Sequence, residues 1–123
     1  MITGTVNATR EAVVILRVRG PGEQEQDIRA VIDTGFTGFL TLPPSIVTTL
    51  GLVRISRGRA ILANGAEELF DIYRGTVLWD GQPRIVETEA ADTDPLVGMS
   101  MLYGYKLQVE AIDGGTVTIE ALP

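Results

Sequence analysis

Three turn signals constrain this chain more than any other feature: Asn64-Gly65, Asp80-Gly81 and Asp113-Gly114-Gly115. Each stands between runs of β-branched and apolar residues. Asn-Gly and Asp-Gly accept the positive φ angles of tight hairpin turns, so each signal predicts two antiparallel strands joined end to end. The first joins residues 59–62 to 69–73, the second 76–79 to 83–86, and the third 106–112 to 116–119. Upstream, residues 2–8 and 12–19 read as strands, the polar stretch 20–26 as a loop, and 28–32 as a strand that runs into Asp33-Thr34-Gly35. Pro43-Pro44 ends a short strand, Leu40-Thr41-Leu42. Ser45 stands where it can cap a short helix, with Ile46, Val47 and Leu50 on its apolar side and Gly51 at its end. Residues 87–94 read as an acidic, mobile loop, and 99–103 as a second short helix ended by Gly104. No repeat, low-complexity tract or linker interrupts the pattern. It predicts one mainly-β domain over residues 1–123, a barrel or sandwich.

Composition narrows the chemistry. The chain contains no His and no Cys. That excludes Ser-His-Asp and Cys-His nucleophile systems, Cys/His zinc sites, disulfides and imidazole as a general base. Acid–base work in an enzyme then falls to carboxylates, Lys or Tyr, and with Lys106 the only lysine, carboxylates are the leading candidates. The net charge of −6 and the scattered basic residues argue against a nucleic-acid partner. Arg54, Arg57 and Arg59 form the one basic group, read as a solvated face. The apolar run 12–16 is too short to span a bilayer, and the first residues lack the basic head and apolar stretch of a signal peptide. A soluble, cytoplasmic protein without membrane contact is expected. Asp92-Thr93-Asp94 lacks the Gly-centred loop of a calcium site, so no metal and no cofactor is expected.

Asp33 carries the chemical interest. It ends a strand of apolar character and precedes two small or polar residues. A carboxylate at the edge of a core is raised in pKa by burial unless hydrogen bonds hold its charged form. Gly35 can bring its N–H against that carboxylate without a side chain in the way. The same tripeptide also makes an ordinary turn, in which Asp bonds the backbone two residues on.

The wider context resembles a known family. The segment A-V-I-D-T-G-F-T-G-F-L-T-L-P, residues 30–43, resembles the active-site segment of aspartic proteases. Leu96-Val97-Gly98, followed by Met99-Ser100-Met101-Leu102, is similar to the strand and short helix that thread beside the Asp-Thr-Gly loop in that family. The two motifs stand 65 residues apart (33 to 98), and the hairpin tipped by Ala63-Asn64-Gly65-Ala66 falls where the family has its flap. The order is most similar to the single-domain, retroviral-type (retropepsin-like) proteases and their prokaryotic relatives. The resemblance implies an all-β, retropepsin-like acid-protease barrel with one or two short helices, one lobe per chain. It implies an aspartic endopeptidase that acts on extended peptides as a homodimer, because only one Asp-Thr-Gly is present. Two carboxylates about 3 Å apart cannot both ionise and so share a proton.

By the same resemblance, Asp33, Thr34 and Gly35 are the catalytic loop, and Thr34 bonds across the two-fold axis. Leu96, Val97 and Gly98 are the active-site framework. Phe36, Ala63, Asn64, Gly65 and Ala66 contact substrate from cleft and flap. The terminal strands, near 2–8 and 116–121, are expected to help build the dimer interface. Two features depart from the family. Phe36 stands where a small residue is usual, so it either lines a substrate pocket or crowds the site. The flap tip has no aromatic; Tyr73, further down, is read as a packing residue and Trp79 as a core or interface aromatic. Two alternatives remain: a non-catalytic dimeric peptide- or protein-binding module on the same fold, and an unrelated small β-barrel with a chance Asp-Thr-Gly turn.

Overall fold

The structure is a computed structural model that describes residues 1–123. Its strands are β1 (Ile2–Val6), β2 (Ala12–Arg19), β3 (Glu25–Ile32), β4 (Leu40–Leu42), β5 (Val53–Ile61), β6 (Glu67–Trp79), β7 (Gln82–Ala90), β8 (Leu96–Val97), β9 (Tyr105–Val109) and β10 (Thr116–Ala121). Two short helices, α1 (Pro44–Leu50) and α2 (Met99–Leu102), punctuate them. The strands form one sheet in the order β5-β6-β7-β4-β8-β3-β2-β1-β10-β9, and a further pairing of β6 with β2 curls it into a barrel. The closure is local: Arg17, Val18 and Arg19 pair with Leu78, Val77 and Thr76.

The core follows from strand alternation. Along β2, Val14, Leu16 and Val18 point inward while Ile15 and Arg17 face water. They meet Ile28, Ala30, Val77, Val97, Val117 and Ile119 in one apolar cluster. Each buried Val, Leu or Ile among them contributes about 1.5–3 kcal/mol by leaving water. Trp79 is buried in the same cluster and meets Tyr105 edge to face, with ring centroids 5.6 Å apart. Tyr73 packs partly buried against it.

Several local expectations change in the folded chain. Asp80-Gly81 is a two-residue turn with φ of 53° and 80°, as its sequence predicts. At the Asn64-Gly65 hairpin only Gly65 has a positive φ, 82°. The Leu62 N–H donates to the Ala66 carbonyl, and the Gly65 N–H to the Leu62 carbonyl. This is a three-residue loop with glycine in the left-handed position, and Asn64 Oδ1 accepts the Ala66 N–H at 2.9 Å. β6 is one strand of 13 residues, serving both the hairpin and the barrel. Residues 87–90 belong to β7, not to a loop, because Thr88, Glu89 and Ala90 pair with Leu40, Thr41 and Leu42 of β4. Glu25 and Gln26 likewise join β3, and an ion pair from Arg19 to Glu25 at 2.8 Å spans that end. Ser45 does not cap α1. Pro43 is the N-cap, Pro44 sits in the first turn, and the Ile46 and Val47 N–H groups donate to the Pro43 carbonyl. Gly51, with φ 64°, ends the helix as expected.

The terminal strands pair with each other inside the chain, Ile2 opposite Ile119 and Thr5 opposite Thr116. The free edges of the sheet are therefore β5 and β9. No helix is long and apolar enough to cross a membrane.

Candidate active site

Asp33 is positioned by the crossing of two chain segments. β8 lies between β3 and β4, parallel to the first and antiparallel to the second, and carries Leu96 and Val97 into the middle of the sheet. Val97 is fully buried because strands flank it on both sides. Its carbonyl accepts the Asp33 N–H at 2.9 Å, and the Pro95 carbonyl accepts the Val31 N–H at 2.9 Å. The loop from Asp33 to Phe39 is then clamped from the far side of β8. Gly98 N–H donates to the Phe39 carbonyl (3.1 Å), Met99 N–H to Phe36 (2.8 Å) and Ser100 N–H to Gly38 (3.1 Å). The Ser100 hydroxyl donates to the Thr37 carbonyl. Behind this clamp, Arg84 donates to the Met101 carbonyl at 3.0 Å and lies over the Phe39 ring, 5.4 Å from its centroid.

The Asp33 side chain is half-buried, and its Oδ1 accepts the Gly35 N–H at 2.9 Å. No basic side chain pairs with it in this chain. It faces a cleft of about 700 Å³ whose lining is mostly apolar. Val31, Ile32 and Leu96 lie beside it, and the turn after β1 and the loop after β9, with Ile112, supply the walls. The turn after β1 is a built feature. Asn7 Nδ2 and Thr9 Oγ1 both donate to Glu11, and these hydrogen bonds hold its carboxyl below the usual carboxylate range.

The structure separates the residues singled out by sequence into three groups. Asp33, Leu96, Val97 and Gly98 meet at the crossing, with Thr34 and Gly35 exposed on the loop beyond it. Thr34 makes no side-chain hydrogen bond within the chain. Phe36 is not among the residues lining the cleft; its half-buried ring turns back over Gly38 and Gly98. Ala63, Asn64, Gly65 and Ala66 are exposed at the hairpin tip, and none of them lines the cleft of this chain. Ion pairs Arg59–Glu67 (2.6 Å), Arg54–Asp71 (3.1 Å) and Arg57–Asp71 (3.4 Å) tie the hairpin strands together, while Ile61, Leu62 and Leu69 stay open to water. At the hairpin base, burial first and the nearby Glu87 second raise the pKa of half-buried Glu89.

Sequence reasoning did not single out Ser100, Arg84 or Ile112. Ser100 sits next to the framework motif, and a serine two residues after its glycine is the signal that could have drawn attention. Arg84 and Ile112 reach the site only through tertiary packing.

No family model matches the chain, and no curated protein matches it by sequence. Among solved structures, the chain is similar to a retropepsin-like aspartic protease from Rickettsia conorii, with a TM-score of 0.59 and 14% identity over 99% of this chain and 91% of that one. At that identity the likeness is one of fold. The chain thus has the all-β, retropepsin-like barrel, one lobe per chain.

Proposed function

We propose that the chain is an aspartic endopeptidase that works as a homodimer, with two copies of Asp33 forming one active site. The observation that carries this reading is the Asp33 carboxylate. It is oriented by a backbone N–H, lies at the mouth of an apolar cleft, and rides on a loop clamped by β8 in a retropepsin-like barrel. A single carboxylate of this kind cannot act as acid and base at once. Two brought within about 3 Å share a proton: the ionised member takes a proton from water and the protonated member polarises the scissile carbonyl. The pair titrates as a unit. Exposed Thr34 and Gly35 are free to meet their copies across the two-fold axis. The hairpin between β5 and β6 is the flap that closes on an extended peptide, adding backbone hydrogen bonds on one side while apolar side chains fill the cleft.

The test is incubation of wild type and Asp33→Asn with a diverse peptide mixture from about pH 3 to 8, with cleavage read by mass spectrometry. Wild type is expected to cleave. Asp33→Asn is expected to lose roughly 10³-fold or more in rate while its solution mass stays that of a dimer. Cleavage by Asp33→Asn at the wild-type rate would sink the proposal.

One observation favours a second reading. The Gly35 N–H to Asp33 bond is also what an ordinary Asx turn makes. A non-catalytic dimeric peptide- or protein-binding module on the same fold uses this geometry without the chemistry. Equal peptide binding by wild type and Asp33→Asn, with cleavage by neither, supports that reading.

A further inference from the structure

Phe36 sits three residues beyond Asp33, yet it is not among the residues that line the cleft. It occupies a slot left by two glycines from different segments. A Cβ built on Gly38 would lie 2.5 Å from the ring's Cζ and 2.6 Å from its Cε1, with no backbone in the way. A Cβ built on Gly98 would lie 2.6 Å from the ring's Cδ2 and 2.7 Å from the Phe36 carbonyl oxygen, and would collide with the Gly38 carbonyl. Neither glycine is there for its conformational freedom. Gly98 has φ −104°, which any residue adopts, and Gly38 is not among the positive-φ positions. They are there for room, and the ring fills the room.

The ring also belongs to the residue through which the loop is held. The Phe36 N–H donates to the Asp33 carbonyl at 3.1 Å, closing the turn, and the Phe36 carbonyl accepts the Met99 N–H at 2.8 Å, fixing that turn to α2. Packing Phe36 across Gly38 and Gly98 therefore locks the two halves of the crossing in one arrangement. An aromatic in contact with both halves resists their sliding, because interiors are close-packed and transmit small shifts.

We propose that Phe36 is a positioning residue for Asp33: its ring, seated against Gly38 and Gly98, sets the curvature of the loop and so the direction in which the Asp33 carboxylate points. This rests on the protease reading above and adds a specific claim to it. A dyad requires two carboxylates placed to within a fraction of an ångström, and the ring adds to the backbone clamp a side-chain contact that helps fix each one.

The experiment compares Phe36→Ala, Phe36→Leu and wild type in steady-state cleavage across pH, on a peptide that wild type cuts. If the ring acts through the loop rather than on substrate, Phe36→Ala is expected to lower kcat by roughly 10²-fold, the scale of a small misplacement, with KM within about twofold. A dyad held less closely shares its proton less strongly, so the pH profile narrows. Phe36→Leu, which refills most of the slot, is expected to restore most of kcat and the width of the profile. An unchanged kcat and profile in Phe36→Ala overturns the proposal. A raised KM at constant kcat also overturns it and makes the ring a substrate contact. Amide hydrogen exchange gives a reading independent of cleavage. Phe36→Ala is expected to speed exchange at Gly35, residue 36 and Met99 and to leave β2 and β6 unchanged; unaltered exchange at those three amides contradicts the proposal whatever the peptides show. A wild type that cleaves nothing sinks the protease reading, and the exchange result still decides whether Phe36 orders the loop. Should Phe36→Ala fold poorly, the pair Phe36→Ala and Gly38→Ala serves instead. Gly38→Ala alone is expected to loosen the same amides, and combined with Phe36→Ala it is expected to restore their protection, since only the ring opposes its methyl group. Additive loosening in the double variant refutes the shared slot.

Discussion

At the scale of single residues, glycine around Asp33 does two different jobs. Gly35 has φ outside the left-handed region, and a Cβ there would meet only Asp33 Oδ1, at 3.2 Å. A small shift of that side chain relieves it. Gly98 is hemmed in by two carbonyl oxygens and a ring. Gly98→Ala is therefore expected to destabilise the chain by about 1–3 kcal/mol or more, as overpacking does. Gly35→Ala is expected to cost under about 1 kcal/mol, as exposed positions do. Urea midpoints at one fixed protein concentration check this, and the reverse order contradicts it. Asp33 could be singled out from local features, an apolar strand, the carboxylate and the glycine that follows, but its reading as a catalytic residue leaned on Leu96-Val97-Gly98, whose glycine stands 65 residues on. The seat of Phe36 was not legible, because half of it comes from Gly98 on a distant segment. A sequence window shows that a large side chain follows Gly35 but not where room has been left for it.

Among the elements, strands were readable from apolar runs and turn signals, while polar strand ends drawn into the sheet by distant partners were not. Asp80-Gly81 announces β6 and β7 because its two residues adopt positive φ by themselves. The end of β7 looked like an acidic loop because Glu87, Glu89, Asp92 and Asp94 crowd there. Parallel pairing with β4 overrides that composition and buries Thr88 completely. The override has a cost at Glu89. Burial and Glu87 raise its folded pKa, so the folded state holds the proton more tightly than the unfolded chain. The stability linked to that proton is present below the unfolded carboxylate pKa and is lost as pH rises through the folded value. Glu89→Gln is expected to raise the thermal midpoint near pH 7 and to leave it unchanged near about pH 3.5, where both side chains are neutral. Calorimetry at the two pH values checks this; no gain near pH 7 contradicts it.

β9 poses the other question at this scale. The Glu110 N–H donates to the Thr116 carbonyl and the Leu122 N–H to the Gly104 carbonyl. By the alternation of an antiparallel ladder, Lys106 and Gln108 direct their backbone groups toward β10, while Tyr105, Leu107 and Val109 direct theirs outward. Such an open edge invites pairing, and if the proposed dimer uses it, a second copy of β9 would meet it antiparallel about a two-fold axis. Val109→Pro removes one outward N–H and is expected to weaken the dimer while each chain stays folded. Gln108→Pro removes a ladder bond and is expected to unfold the hairpin. Sedimentation velocity with circular dichroism separates the two; a fully dimeric Val109→Pro excludes this edge as the interface.

For the molecule as a whole, the absence of His and Cys makes carboxylates the leading candidates for any acid–base chemistry, and Asp33 lines a mostly apolar cleft whose rim also carries Glu11 and Asp113. The class of fold was legible in the succession of short strands, the single Asp-Thr-Gly and Leu96-Val97-Gly98. The strand order was not, because β3–β8 and β4–β7 are parallel pairs and β6–β2 closes the barrel from far apart in the chain. No turn signal announces pairings of that kind. The terminal strands, expected to help build the dimer interface, pair with each other inside the chain, and β9 stands at the edge of the sheet.

The claim that two chains share one active site is tested most directly by mixing wild-type and Asp33→Asn chains under conditions where dimers exchange, at constant total protein. If each site needs an Asp33 from both partners, activity follows the square of the wild-type fraction, falling to about one quarter at equal mixing. Activity that falls in proportion to the wild-type fraction, to about one half at equal mixing, would mean that each chain carries a complete site and would contradict the account.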